Sequence, residues 1–137
     1  MTYEKSCGIV PYIVINGEIL FVLITQNNGI TCFPKGHVEK DETEEETALR
    51  ECFEETKLEV DIIPGYRDTT TYYMPDYDAE KTVVYFLGKI KNLEYRKQDS
   101  EIKDIQMCNY KEALKAITYD DTRGILKSAN KFLKMKK

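Results

Sequence analysis

A run of glutamates between residues 36 and 58 constrains the fold of this 137-residue chain more than any other feature. It ends in the segment RECFEETKL, which places Glu51 three residues before Glu54 and four before Glu55. In an α-helix these spacings put the three carboxylates on one face, where like charges repel by roughly a few tenths of a kcal/mol per pair. No lysine lies within the cluster to relieve the repulsion. The segment therefore predicts a helix that carries a site for a divalent cation.

The start of this helix can be read from the residues before it. Thr43 is followed three residues later by Glu46, which is the capping-box pattern, so the helix is expected to begin near Glu44. Its apolar stripe is predicted on a side other than that of the three carboxylates, from Ala48, Leu49, Cys52 and Phe53.

The rest of the chain alternates short apolar strands with turn signals. Asn16-Gly17 separates two runs rich in β-branched residues, which is a strong signal for a hairpin with a type I′ turn. Residues 74–80, with Pro75 and two aspartates, are predicted to form a loop. Strands are expected at 6–15, 18–25, 60–63, 66–73, 82–90 and 102–108, and two further helices at 111–117 and 122–134. The mixed order predicts an α+β fold, with one domain over residues 1–137.

Composition narrows the function classes. A hydrophobic content of 42% suits a packed globule, and a net charge of −4 argues against general nucleic-acid binding, which needs a basic surface. No apolar run approaches the ~20 residues that span a bilayer, and the N-terminus lacks the apolar core of a signal peptide. The only histidine, His37, excludes a multi-histidine metal site. Structural thiols in a reducing cytoplasm are the expectation for the four widely spaced cysteines, Cys7, Cys32, Cys52 and Cys108.

The pattern G-x5-E-x7-R-E-U-x-E-E-x-G-U, in which U is aliphatic, is the signature of the Nudix hydrolases, and residues 36–58 resemble it closely. Cys52 stands at one aliphatic position, a mild change because a buried free cysteine behaves as a small hydrophobe. The matching positions are Gly36, Glu42, Arg50, Glu51, Glu54, Glu55 and Leu58. The resemblance implies a mixed β-sheet sandwiched between helices. It also implies hydrolysis of a nucleoside diphosphate linked to another group, with Mg²⁺ or Mn²⁺.

One position departs from the signature. Lys57 replaces the last glycine, which normally ends the helix in a left-handed conformation that costs a non-glycine residue about 1 kcal/mol or more. Either the helix ends differently here or the site tolerates strain. Catalysis is not put in doubt, because no side-chain ligand is lost.

The resemblance also assigns roles within the segment. Glu51, Glu54 and Glu55 are expected to bind the metal together with the carbonyl of Lys35, and Glu51 is alternatively the general base. Arg50 is expected to orient the carboxylates through a forked ion pair. Gly36 and Glu42 would support the loop. The competing interpretation is a solvated acidic helix face, which is what most glutamate runs are.

Outside this segment the chain resembles one group of the family, the asymmetric diadenosine tetraphosphate hydrolases. The similarity lies in residues 6–10 (SCGIV), 33–39 (FPKGHVE), 46–51 (ETALRE) and 81–85 (KTVVY). It implies that Lys35, His37 and Lys81 lie along the phosphate chain. It further implies that Tyr72 and Tyr119 hold an adenine, and that Glu101 binds metal or serves as base.

Each of these residues also has a structural interpretation. Tyr72 could simply face one side of a strand, and Tyr119 could pack against the helix that follows it. His37 could serve as a hydrogen-bonding loop residue, and Lys81 and Glu101 as solvated surface charges.

The leading hypothesis is a metal-dependent cytoplasmic enzyme that hydrolyses dinucleoside polyphosphates, chiefly diadenosine tetraphosphate to ATP and AMP. The first alternative is a Nudix pyrophosphohydrolase of RNA 5′ ends, modified nucleoside triphosphates or nucleotide sugars. The second is a Nudix module that senses a nucleotide without cleaving it. The expected partner is a small nucleotide, with neither membrane nor nucleic acid; the sequence makes no prediction of oligomeric state.

Overall fold

A mixed sheet of seven strands forms the centre of the computed structural model, which describes residues 1–94 and 101–135. The strands are β1 Thr2–Ile15, β2 Glu18–Gln26, β3 Thr31–Cys32, β4 Lys35–His37, β5 Val60–Met74, β6 Ala79–Ile90 and β7 Ile102–Asn109. The helices are α1 Glu44–Thr56, α2 Tyr110–Ala116 and α3 Asp120–Met135, and a short 3₁₀ turn covers Pro75–Tyr77.

The sheet is mixed because β1 and β6 run parallel while the other pairs are antiparallel. Its main order is β3-β2-β1-β6-β5, with β4 paired to β1 and β7 paired to β2. The predicted hairpin joins β1 to β2 through Asn16 and Gly17, whose φ values are 52° and 81°. Positive φ at both central residues is what a type I′ turn requires.

Helices cover both faces of the sheet. On one face α1 packs Ala48 and Cys52 against Cys7 and Ile9 of β1. On the other face α2 and α3 cover the alternate residues of the same strands, including Val10, Tyr12, Tyr85 and Leu87. This arrangement confirms the expected α+β fold, with a sheet sandwiched between helices. All four cysteines are buried as free thiols.

The predicted start of α1 is confirmed. The Thr43 Oγ1 atom accepts a hydrogen bond from the backbone of Glu46 at 3.1 Å, and the Glu46 carboxylate accepts one from the backbone of Thr43 at 2.8 Å. The apolar stripe was predicted in part wrongly. Leu49 and Phe53 are 38% and 44% exposed, so they lie on the solvent side of the helix.

The end of α1 shows how the helix terminates with Lys57 in place of the signature glycine. Lys57 adopts a left-handed conformation with φ of 63°, and its backbone N–H donates to the carbonyl of Phe53 at 2.8 Å. The helix therefore ends as a glycine would end it. The Lys57 ammonium lies 5.2 Å from the centroid of the Phe53 ring, a cation–π contact that offsets part of the strain.

Two other predictions need correction. The strands expected at 60–63 and 66–73 are one continuous strand, β5, whose pairing with β6 shifts between Ile62 and Arg67. The loop expected over 74–80 is shorter than predicted, because β5 continues to Met74 and β6 begins at Ala79. Within residues 1–94 and 101–135 no helix is long and apolar enough to cross a membrane.

Candidate active site

Arg50 is the centre of a cluster of carboxylates at the side of α1. Its Nε and Nη2 atoms donate to the two oxygens of Glu42 at 2.6 and 3.0 Å, which is a forked ion pair. Its Nη1 atom donates to Glu51 at 2.9 Å and to Glu54 at 2.7 Å, while Nη2 also reaches the carbonyl of His37 at 3.1 Å. The guanidinium thus fixes the carboxylates of α1 relative to the loop that precedes the helix.

Glu42 closes that loop. Besides Arg50, its carboxylate accepts from the backbone N–H of Glu39 at 3.0 Å and from the hydroxyl of Thr47 at 2.8 Å. These donors, with Arg50 the strongest influence, lower the pKa of Glu42 to about 2. The carboxylate is therefore charged throughout the physiological range.

Glu55 is the buried member of the cluster, with only 6% of its surface exposed. Its Oε1 atom accepts from the backbone N–H of Lys35 at 3.3 Å. Burial raises the pKa of Glu55 well above its usual range, and the neighbouring carboxylate of Glu51 raises it further. A bound cation would compensate the repulsion between the negative charges of these two carboxylates in their partly buried site.

Position 36 requires a glycine because its backbone lies directly against the carboxylate cluster. A Cβ atom at this position would lie 2.1 Å from the Cδ atom of Glu51, so any other residue would displace the carboxylate. Gly36 is the central residue of β4, which pairs with Cys7 of β1. The strand therefore brings the backbone of residues 35–37 directly against the acidic face of α1.

The donor set fits a hard divalent cation, which prefers carboxylate and carbonyl oxygens. In the described part of the chain, however, no three histidine, cysteine or acidic side chains converge on one point as a ready metal site. Arg50 holds Glu51 and Glu54, whereas Glu55 is bonded to the backbone of Lys35. Metal binding would therefore redistribute the contacts of Arg50.

A cavity of about 620 Å³ opens beside β4, and it contains three of the predicted site residues: Lys35, Tyr72 and Tyr119. Burial raises the pKa of Tyr72, and Tyr119 and Asp121 raise it further, which agrees with their shared position in the cavity wall. Sequence reasoning missed other lining residues, among them Gln26, Cys32, Asp76, Tyr77, Tyr85 and Asp121. The alternation of Thr70, Tyr72 and Met74 along β5 was a signal that one strand face lines a site.

His37 and Lys81 are not among the described residues that line this cavity, although Lys81 pairs in register with the lining residue Tyr72. The Nε2 atom of His37 lies 3.2 Å from Oε1 of Glu4, a partner that the sequence did not suggest. Lys81 pairs in register with Tyr72 on one side and Glu4 on the other. Burial lowers the pKa of Lys81, and the charge of Lys35 lowers it further.

Glu101 lines a second, smaller cavity of about 390 Å³ together with Glu55. The backbone carbonyl of Glu101 accepts from Asn27 at 3.1 Å, which fixes the start of β7 against the turn after β2. The structure thus brings Glu101, which lies far along the chain, to the buried end of the α1 cluster.

Residues 7–128 match the model of the NUDIX domain. The chain is 30% identical to the bis(5′-nucleosyl)-tetraphosphatase (asymmetrical) of Sus scrofa, an alignment that covers 94% of this chain and 95% of the relative. It is 31% identical to the Mus musculus protein of the same name, with the same coverage. The Ap4A hydrolase of C. elegans, solved as a binary complex, superimposes with a TM-score of 0.88 at 27% identity over 96% of this chain and 98% of that one.

The chain therefore belongs to the NUDIX family, as residues 36–58 indicated. Within that family it is a Nudix hydrolase whose relatives include asymmetric tetraphosphatases.

Proposed function

We propose that this chain hydrolyses dinucleoside polyphosphates, chiefly diadenosine tetraphosphate, to ATP and AMP with Mg²⁺ or Mn²⁺. The position of Lys35 carries the proposal. Its backbone N–H contacts Glu55 of the carboxylate cluster, and the same residue lines the cavity that contains Tyr72 and Tyr119. One residue thus joins the cluster suited to phosphate chemistry to a cavity suited to a nucleoside.

The aromatic end of the cavity suits an adenine. Purines stack on tyrosine rings with about 1–3 kcal/mol per base, and Tyr72 and Tyr119 supply rings in the same cavity wall. Asp76 and Asp121 give this part of the wall negative charge, which disfavours phosphates there. The charge pattern orients a nucleotide with its base toward the tyrosines and its phosphates toward Lys35.

The proposed roles of the cluster follow from its chemistry. Glu51, Glu54 and Glu55, with the carbonyl of Lys35, would hold the divalent cation. When bound, that cation neutralises phosphate charge and acidifies a coordinated water. Arg50 holds Glu51 and Glu54 in place, and Glu42 holds Arg50. Lys35 and Lys81 would supply positive charge for the remaining phosphates, and His37 would lie beside the phosphate chain.

Hydrolysis requires one base. A water oxygen forms a bond to phosphorus, the bridging P–O bond breaks, and the water proton passes to a carboxylate. Glu51 and Glu101 are the two candidates, since both lie close to Glu55. A larger loss of kcat in Glu101→Gln than in Glu51→Gln, at saturating magnesium, would assign the base to Glu101; the reverse order would assign it to Glu51.

A substrate panel with magnesium tests the proposal. It contains diadenosine tetraphosphate, ATP, a modified nucleoside triphosphate, ADP-ribose and RNA with a 5′-triphosphate. We expect the highest kcat/KM for diadenosine tetraphosphate and a loss of most activity in Glu54→Gln. Glu45→Gln is the matched control, because Glu45 lies exposed on the same helix.

If the enzyme prefers a triphosphate, ADP-ribose or the RNA, the proposed substrate changes from diadenosine tetraphosphate to that class. Binding of nucleotides without release of any product would instead support a sensing module. An equal effect of Glu54→Gln and Glu45→Gln would contradict the assignment of the cluster.

A further inference from the structure

The short link between α2 and α3, residues 117–119, is fixed at each of its residues by hydrogen bonds to the rest of the fold. α2 ends at Ala116 and α3 begins at Asp120. The link includes Tyr119, which lines the large cavity although it is 55% exposed. At its other end Ile117 is only 2% exposed and belongs to the core beneath α2 and α3. The ring in the cavity wall is therefore carried by a short segment between two packed helices.

Thr118 connects the link to β3. The backbone N–H of Thr31 donates to the Thr118 hydroxyl at 2.8 Å, and the backbone N–H of Thr118 donates to the carbonyl of Thr31 at 3.1 Å. The two residues thus pair like neighbours in an antiparallel sheet, with a hydroxyl in the place of one carbonyl. Thr31 precedes Cys32, which lines the same cavity as Tyr119. The contact therefore joins two parts of the cavity wall that are distant in sequence.

Arg123, in the first turn of α3, is the second residue that fixes the link. Its Nη1 atom donates to the carbonyl of Ile117, and its Nη2 atom lies 3.4 Å from the carbonyl oxygen of Thr118. Its backbone N–H donates to the carbonyl of Tyr119 at 3.1 Å. Nη2 also pairs with Asp120 at 2.9 Å, an exposed ion pair that contributes little by itself. The contacts with the three carbonyls restrict the backbone that carries the ring.

We propose that Thr118 and Arg123 are positioning residues, which hold the link so that the Tyr119 ring is in place in the cavity wall before a nucleoside binds. The inference rests on the proposed function, because it explains how one ring of that adenine site is oriented. An aromatic side chain on a loose connection would lose conformational entropy when a base stacks on it, and this loss reduces affinity. Neither Thr118 nor Arg123 is among the described residues that line the cavity, so both act through Tyr119.

Thr118→Val tests the contact with β3. It keeps the shape of the side chain but removes the acceptor for the N–H of Thr31. KM for diadenosine tetraphosphate should rise by about fivefold, the effect of one neutral hydrogen bond, while kcat stays within about twofold of the parent value. Thr118→Ser retains the hydroxyl and should restore the parent KM.

Arg123→Gln tests the second contact and should raise KM in the same way. It also tests the proposal if Thr118→Val fails to fold. Lys127→Gln is its control, because Lys127 lies exposed one turn further along α3. Ser128→Ala is the control for a lost hydroxyl. The hydroxyl of Ser128 donates to Asp68 at 2.7 Å, and neither residue lines the cavity, so this variant should lower the melting temperature and leave KM unchanged.

A double variant separates positioning of the ring from a general structural effect. If Thr118 acts through the ring, Thr118→Val should raise KM no further in a protein that already carries Tyr119→Ala. An equal fold-change in both backgrounds overturns the inference. An unchanged KM in both Thr118→Val and Arg123→Gln overturns it as well.

Fluorine NMR of the protein labelled with fluorotyrosine tests the position of the ring without any substrate. The signal that is absent from Tyr119→Phe belongs to Tyr119. In the ligand-free protein this signal should shift or broaden in Thr118→Val and Arg123→Gln, and it should stay unchanged in Ser128→Ala. An unchanged signal in the first two variants overturns the inference alone. If the signal changes but the parent protein does not cleave diadenosine tetraphosphate, the proposed function fails and the positioning of Tyr119 stands.

Discussion

Gly36 lies so close to Glu51 that a single added methyl group would overlap the carboxylate, since its Cβ would be 2.1 Å from the Cδ atom of Glu51. The contact explains why a glycine stands fifteen residues before Glu51 in the sequence: β4 crosses the face of α1 at this point. The glycine is needed because a side chain would not fit, and not for its backbone conformation, since Gly36 is not among the residues with positive φ.

Gly36→Ala should therefore lower kcat/KM by at least about 100-fold, because displacing a group at a reactive centre by about 1 Å can cost that much. Steady-state kinetics with diadenosine tetraphosphate checks this. Gly124→Ala is the control: nothing lies within 4 Å of a Cβ there, and alanine within α3 should stabilise the protein by about 0.5–1 kcal/mol. Equal activity of the two variants would contradict the role of Gly36.

Lys57 offers a test of backbone strain. Because Lys57 has a left-handed conformation, Lys57→Gly should be more stable than Lys57→Ala by about 1 kcal/mol in equilibrium unfolding by guanidinium chloride. The alanine variant removes the contact with Phe53 in the same way as glycine, so it isolates the backbone effect. Equal stability of the two variants would mean that the conformation carries no strain.

Tyr72 and Tyr119 are predicted to act in binding rather than in the chemical step. Tyr72→Ala and Tyr119→Ala should each raise KM by about fivefold to 150-fold, from the loss of about 1–3 kcal/mol of stacking, with a smaller effect on kcat. Tyr3→Ala is the control, because Tyr3 is exposed on β1 outside the cavity. An unchanged KM in both cavity variants would remove the tyrosines from the adenine site.

Glu44 links α1 to two strands, and its contribution should depend on pH. Its carboxylate accepts from Arg67 at 3.0 and 2.9 Å and forms an ion pair with Lys5, and these contacts, Arg67 first, lower the pKa of Glu44 to about 2. A depressed carboxyl pKa stabilises the folded state above the usual carboxyl range and loses that effect as pH falls toward 2.

Glu44→Gln should thus lower the free energy of unfolding by about 1 kcal/mol at pH 7, with the difference from the parent protein shrinking as pH falls below the usual carboxyl pKa. Urea unfolding at pH 7, 5 and 4 measures it. Glu45→Gln, on the exposed side of the same helix, should show no such trend. A difference that grows toward pH 4 would contradict the sign of the effect.

Local signals in the sequence predicted the fold well. The capping box at Thr43 and the Asn16-Gly17 turn depend on neighbours within a few residues, so their geometry follows from the local chain. β4 was missed because three residues with a central glycine carry no strand pattern, and the strand exists only through its pairing with β1. The exposure of Leu49 and Phe53 likewise depends on how α1 is rotated against the sheet.

In the candidate site, too, some features follow from the local sequence and others only from the folded structure. The signature from Gly36 to Leu58 predicted which carboxylates cluster, whereas the burial of Glu55 and the contact of His37 with Glu4 required the folded chain. These features arise between strands that are distant in sequence. They cannot be predicted from the hydrophobic periodicity or the secondary-structure propensity of a single segment.

The products of diadenosine tetraphosphate hydrolysis test the central claim most directly. Separation of the nucleotides after incubation with magnesium should yield ATP and AMP in equal amounts. The yield should fall to background after chelation of the metal and in Glu54→Gln, but not in Glu45→Gln. Formation of ADP as the main product, or no release of mononucleotide, would contradict the account.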